Sequence, residues 1–152
     1  MKTILAAVDS SARAPKVLAV AVDLARRFQS KVVLFRAIGV PHDLPVEAFA
    51  VSPEDLVGVL EQRARQELGA LAGRAEGIAC EIRVAVGTAW EGICRVAREV
   101  DAAVIVIGSH GYGGLERLIG TTAARVVNHA DRSVFVVRAP ELLERTESGR
   151  AP

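Results

Sequence analysis

The stretch VIGSHGYGGLERLIGTTAARVVNHA, from Val106 to Ala130, is the part of the chain that decides its fold. It begins as a strand-like apolar run and ends as a helix-like run, and between them lie Gly108, Gly111, Gly113, Gly114 and Gly120. Glycine allows the backbone to adopt positive φ and to approach a ligand closely. A connection this rich in glycine indicates either a ligand-binding loop or a turn that only caps the following helix.

Strands and helices alternate around this stretch. Runs of β-branched residues predict strands over residues 3–8, 31–38, 81–86, 102–108 and 133–138. The runs at 4–8, 32–35 and 103–107 are almost continuously apolar, which is typical of strands covered on both faces. Apolar residues at three- and four-residue steps predict helices over about residues 14–29, 52–71, 89–99 and 122–130, with Ser52 as the N-cap of the second.

This alternation predicts a single α/β domain with a mainly parallel sheet and right-handed crossovers. The domain is expected to span residues 1–139. Residues 140–152 are polar, and we expect them to form a flexible C-terminal tail.

Composition and charge exclude several classes of protein. The chain has 152 residues and a formal net charge of +1, which predicts neither nucleic acid nor an anionic membrane as a partner. No stretch reaches the roughly 18 apolar residues of a membrane helix, and the N-terminal apolar run meets Asp9 too early for a secretory signal. We therefore expect a cytoplasmic protein.

Cys80, just before the third strand, and Cys94 are predicted to be core or near-core thiols, because two cysteines make neither a disulfide framework nor a zinc site.

The glycine-rich stretch begins at the carboxyl end of the fourth strand, where open α/β sheets bind ligands. GTT, residues 120–122, then opens the last helix, and a helix N-terminus offers unpaired N–H groups and partial positive charge. These features predict capture of an oxyanion such as phosphate. A phosphate-binding P-loop is excluded because no lysine precedes Thr121 in the required pattern, and a dinucleotide fingerprint is excluded because no glycine follows the first strand. In the alternative interpretation the glycines only shape a turn.

The same stretch resembles the nucleotide-binding signature of the universal stress protein family, G-2x-G-9x-G-[S/T]. Gly108 and Gly111 match its first half, and Gly120 with Thr121 matches its second. Eight residues, rather than nine, separate Gly111 from Gly120. The resemblance extends to about Arg138 and includes the segments ILAAVDSS, LFRAI and VVNHADRSVFVVR.

The resemblance implies an adenine-nucleotide-binding, Rossmann-like fold: one open, five-stranded parallel sheet of order 3-2-1-4-5 with helices on both faces. It implies ATP as the ligand, with or without Mg²⁺. The backbone near Ala7 and Ala37 would meet adenine, Asp9 would lie near ribose or a phosphate-bound metal, and the glycines and threonines would meet ribose and phosphate. The nucleotide-binding residues are expected to be Ala7, Val8, Asp9, Ala37, Gly108, Ser109, His110, Gly111, Gly120, Thr121 and Thr122.

Some of these residues have other interpretations. Asp9 could serve only to cap the first helix, and His110 could face solvent rather than phosphate. Trp90, near the mouth of the expected crevice, is predicted to pack, and His129 is predicted to pack or to cap near the end of the last helix. No catalytic constellation and no metal-ligand cluster emerges from the motifs.

The function implied is therefore that of an ATP-binding universal stress protein in stress adaptation, with little or no ATP turnover. The alternatives are a nucleotide-independent homodimeric interaction module and a slow ATPase of the same fold. We expect a homodimer through Ser133–Arg138, because the last strand is an edge in the implied order and its apolar residues lie on both faces. In the alternative, residues 141–145 cover that edge.

Overall fold

A computed structural model of the protein describes residues 2–39, 52–109 and 121–138. His110, Gly111, Gly120 and the predicted tail lie outside the described residues. The strands and helices within these ranges alternate along the chain, and their bounds agree with the predicted ones to within about one residue. They are β1 (Thr3–Ala7), α1 (Ala14–Phe28), β2 (Lys31–Ile38), α2 (Pro53–Ala72), β3 (Cys80–Val86), α3 (Ala89–Glu99), β4 (Ala102–Ser109), α4 (Thr122–His129) and β5 (Ser133–Arg138).

The strands form one parallel sheet of order β3-β2-β1-β4-β5, which confirms the order that the family resemblance implied. Ala7, the last residue of β1, pairs with Phe35 of β2 on one side and with Ile107 of β4 on the other. Chain order reverses at β1, so the carboxyl ends of β1 and β4 form the topological switch point. Within the described part of the chain, β3 and β5 are the two edge strands.

Helices cover both faces of this sheet, as the apolar runs predict. Successive side chains of a strand point to opposite faces, so Ile4 and Ala6 pack with α1 and α2, and Leu5 and Ala7 pack with α3 and α4. Every residue of β1 is buried. The polar start of α2 also follows the prediction, because the Ser52 hydroxyl accepts a hydrogen bond from the Asp55 N–H at 3.2 Å.

Both cysteines are free thiols that contribute to the interior. Cys94 is buried in α3, and Cys80 is half-buried as the first residue of β3 rather than preceding that strand. Burial raises the pKa of both thiols, because it disfavours the charged thiolate. None of the helices in the described ranges has the length and apolar character needed to cross a membrane.

Candidate functional site

A cleft opens at the switch point, where β1 and β4 end and α1 and α4 begin. It contains about 670 Å³ of empty space, including the part open to solvent. The described residues that were predicted to bind a ligand and that line this cleft are Ala7, Val8, Asp9, Ala37, Gly108, Thr121 and Thr122. Ser109 is described but does not line the cleft.

The inner wall of the cleft is apolar, and sequence reasoning missed most of it. Phe35, Ile93 and Ile107 belong to the core beneath α3 and α4, and all three line the cleft. Gly92 allows α3 to approach this wall, because a Cβ atom there would lie 3.2 Å from Cζ of Phe35. Alternation along β2 could have identified Phe35, since it lies two residues before Ala37 on the same face.

Gly108 lies where β4 meets α1. A Cβ atom added there would lie 3.1 Å from Cγ2 of Val17, which is tighter than ordinary van der Waals contact. Its φ is not positive; the described glycines with positive φ are Gly77 and Gly87. A side chain at position 108 would therefore need Val17 to shift slightly, so glycine favours the close packing of α1 on β4. This packing brings α1 close to the rim of the cleft.

The N-terminus of α4 supplies the polar end of the cleft. Thr121 is the N-cap: its hydroxyl oxygen accepts a hydrogen bond from the Ala124 N–H at 3.2 Å, and its carbonyl accepts from the Arg125 N–H. Among the described residues, no group accepts from the N–H of Thr122 or of Ala123. Both residues line the cleft, so these two donors and the helix dipole favour an anion there.

Asp9 orders the turn between β1 and α1. Its Oδ1 accepts hydrogen bonds from the Ser11 N–H at 2.9 Å and from the Ser11 hydroxyl at 2.5 Å. The N-cap of α1 is Arg13, which has no capping side-chain hydrogen bond. Asp9 therefore acts as an Asx-type turn before α1 rather than as its N-cap, and it lines the cleft as well.

Arg13 also lines the cleft, and sequence reasoning did not select it. Asp9 and Arg13 are the charged residues among the described lining residues, one acidic and one basic. No local motif marks Arg13, because its position at the cleft follows from the Asp9–Ser11 turn and from the packing of α1. Within the described ranges, no three His, Cys, Asp or Glu side chains are grouped so that they could hold a metal ion.

Trp90 and His129 form an aromatic pair beside the cleft rather than within its lining. Their ring centroids are 4.6 Å apart with an interplanar angle of 39°. His129 Nδ1 lies 2.8 Å from the carbonyl oxygen of Arg125, so the ring donates to that carbonyl when Nδ1 carries a proton. Trp90 therefore joins α3 to α4, in agreement with the packing role predicted for it, and His129 caps near the end of α4.

This architecture defines an open, doubly wound α/β protein with a ligand cleft at its topological switch point. Residues 1–138 match the profile described as the Universal stress protein family, and the chain belongs to that family. The match confirms the resemblance carried by the glycine-rich stretch.

Individual relatives agree with this assignment. A universal stress protein of Synechocystis is 31% identical over 148 residues, covering 89% of this chain and 96% of the relative. The crystal structure of a family member from Burkholderia pseudomallei superposes with a TM-score of 0.72 at 27% identity, covering 91% of this chain and 96% of that chain. A universal stress protein from Archaeoglobus fulgidus, solved in complex with dAMP, has a TM-score of 0.62 at 26% identity, covering 90% of this chain and 96% of its own.

Proposed function

We propose that the protein binds an adenine nucleotide, ATP with or without Mg²⁺, in the switch-point cleft and acts in stress adaptation as a cytoplasmic homodimer. The observation that carries this proposal is the N-terminus of α4, where the N–H groups of Thr122 and Ala123 adjoin an otherwise largely apolar cleft. The dAMP complex of the Archaeoglobus relative supports an adenine nucleotide as the ligand class.

The lining of the cleft fits the parts of such a ligand. The apolar wall of Phe35, Ile93 and Ile107 suits the adenine ring, which would meet the backbone near Ala7 and Ala37. Phosphate would lie at the N-terminus of α4, where the Thr121 hydroxyl accepts a hydrogen bond from a backbone N–H and keeps its own proton to donate.

Asp9 would meet ribose or a magnesium ion. Asp9 lines the cleft and its turn is ordered by Ser11, and a carboxylate can accept from a ribose hydroxyl or ligate a cation. We also propose that Gly108, Ser109, His110, Gly111 and Gly120 approach ribose and phosphate, as the family resemblance implies.

Saturating ATP should raise the thermal stability of the protein. A ligand that binds only the folded state, at about 100 times its dissociation constant, adds roughly 2.7 kcal/mol to the free energy of unfolding. For a domain of this size we expect the melting temperature to rise by roughly 5 to 10 °C. The measurement is a thermal melt with and without Mg-ATP, with GTP as the comparison. An unchanged melting temperature together with silent calorimetry would overturn the proposal.

ATP turnover should be slow or absent. The chain has no P-loop lysine, its last lysine being Lys31, and among the residues lining the described cleft Asp9 is the one carboxylate that could act as a base. We expect phosphate release well below roughly 1 per second, the lower end of ordinary enzyme rates. Timed phosphate release from highly purified protein tests this, and turnover at enzyme rates would make the slow-ATPase alternative the better description.

A second candidate function is a nucleotide-independent interaction module. This candidate is favoured by the apolar surface of the edge strand β5, in which Phe135 is 45% exposed and lies beside half-buried valines. In this candidate the homodimer exists and acts without nucleotide, so wild-type protein would dimerise fully while giving no response to ATP in the melts.

A further inference from the structure

Arg36 is an unusual residue for the interior of this fold. Within the described part of the chain it is the one charged residue that is buried, at 9% exposure. Leu34, two residues earlier on β2, belongs to the core beneath α1 and α2, so Arg36 lies on that same face. A buried charge is costly unless it is paired and hydrogen-bonded, so its contacts indicate why it is tolerated there.

The guanidinium of Arg36 joins two parts of the chain. Nη1 donates to Oε2 of Glu67 in α2 at 2.5 Å, and Nη2 donates to the backbone carbonyl of Asp9 at 3.0 Å. The hydrogen bond from Arg36, and then that from Arg63, lowers the pKa of the Glu67 carboxyl, which keeps it ionised as the partner of the guanidinium. The buried Nε has no partner within the described ranges, so these two contacts hold the group.

Asp9 is thus held from two sides. Arg36 fixes its carbonyl from the α2 side, and its carboxylate binds Ser11 and lines the cleft. Arg36 itself does not line that cleft. We propose that Arg36 is a positioning residue: clamped by Glu67, it holds the Asp9 turn in the conformation that receives the ligand. The effect of Arg36 on nucleotide affinity rests on the proposed function, whereas its effect on the conformation of the Asp9 turn does not.

The test compares Arg36→Met with Arg132→Met. Arg132 makes the same kind of contacts, to the Asp101 carboxylate at 2.7 Å and to the Ala102 carbonyl at 3.1 Å, but at the opposite end of the sheet. Arg36→Met should fold, because Glu67 is 39% exposed and retains Arg63, and Asp9 is an exposed residue. We expect Arg36→Met to raise the dissociation constant for ATP about tenfold, equivalent to loss of one charge-assisted hydrogen bond. Arg132→Met should leave the dissociation constant for ATP within about twofold of the wild-type value.

A double-mutant cycle separates positioning from general destabilisation. In an Asp9→Ala background, Arg36→Met should have no further effect on ATP affinity, because the carboxylate that the clamp positions at the cleft is gone even though the carbonyl that Arg36 binds remains. The inference would be overturned if Arg36→Met weakened ATP binding by the same factor in the wild-type and the Asp9→Ala backgrounds. It would also be overturned if the Arg36→Met single variant bound ATP with wild-type affinity.

A readout without nucleotide completes the test. Hydrogen exchange of the Ser11 amide, which donates to Asp9, should accelerate in Arg36→Met and remain unchanged in Arg132→Met. Unchanged Ser11 exchange in Arg36→Met refutes the positioning role. If wild-type protein binds no ATP, the proposed function fails, and the exchange result alone decides whether Arg36 holds the turn.

Discussion

Thr122→Pro is expected to weaken ATP binding by about 10- to 100-fold while leaving the nucleotide-free fold intact. The substitution removes the N–H of the first residue of α4, one of the donors expected to bind phosphate, and a hydrogen bond to a charged acceptor contributes about 1.5–3 kcal/mol. Proline is favoured at this position, because the N–H has no intrahelical partner there. Thr121 has φ −76° and ψ 151°, the extended conformation that a residue before proline adopts.

Thr122→Ala is the matched control for this variant. It removes the same hydroxyl but keeps the backbone N–H, so we expect it to weaken binding by only a few-fold. Calorimetric titration with ATP measures both variants, and thermal melts without ATP check their folds. If the two variants lose the same ATP affinity, the phosphate contact belongs to the Thr122 hydroxyl rather than to its N–H. Wild-type affinity in Thr122→Pro would place the phosphate away from α4.

Phe135→Lys is expected to convert the proposed homodimer to a monomer at tens of micromolar. Phe135 lies in the middle of the edge strand β5 and is 45% exposed, so in an antiparallel pair its side chain would lie next to a cross-strand side chain of the partner on the same face of the sheet. A lysine on an edge strand opposes such pairing, because association would bring two positive charges close together near the two-fold axis. Light scattering after gel filtration should then report the mass of one chain instead of two.

The fold should survive this substitution, because Phe135 is already nearly half exposed in the single chain. Phe28→Lys is the matched control: Phe28 is 65% exposed at the end of α1, far along that helix from the contact of Lys16 Nζ with the Arg138 carbonyl. We expect it to remain dimeric. Monomeric wild-type protein would refute the dimer, and a dimeric Phe135→Lys variant would move the interface away from β5.

These predictions rest on features that the sequence reveals to different degrees. Periodicity is a local property, so the apolar runs and the helical spacing place strands and helices to within about one residue of their observed bounds. The Ser52 cap is local as well, and it is observed as predicted. The order of the strands came from the family resemblance and is confirmed, because periodicity alone does not state which parallel strands are neighbours.

The candidate site divides in the same way. Thr121 and Thr122 could be selected from the sequence because a helix start that follows a strand end is a local feature, whereas Asp9 was selected through the family resemblance, which places β1 beside β4. Arg13 and Ile93 could not be selected, since their place at the cleft depends on how α1 and α3 pack on the sheet, whereas alternation along β2 could have identified Phe35.

The sequence by itself determined the class of fold, the element bounds and the family to which the chain belongs. Only the tertiary structure revealed that Gly108 lies so close to Val17 of α1 that a side chain there would need Val17 to shift. Only the tertiary structure also paired Arg36 with Glu67, 31 residues further along the chain, and with the carbonyl of Asp9. Such contacts follow from packing between elements distant in sequence, and no local periodicity encodes which side chains will meet there.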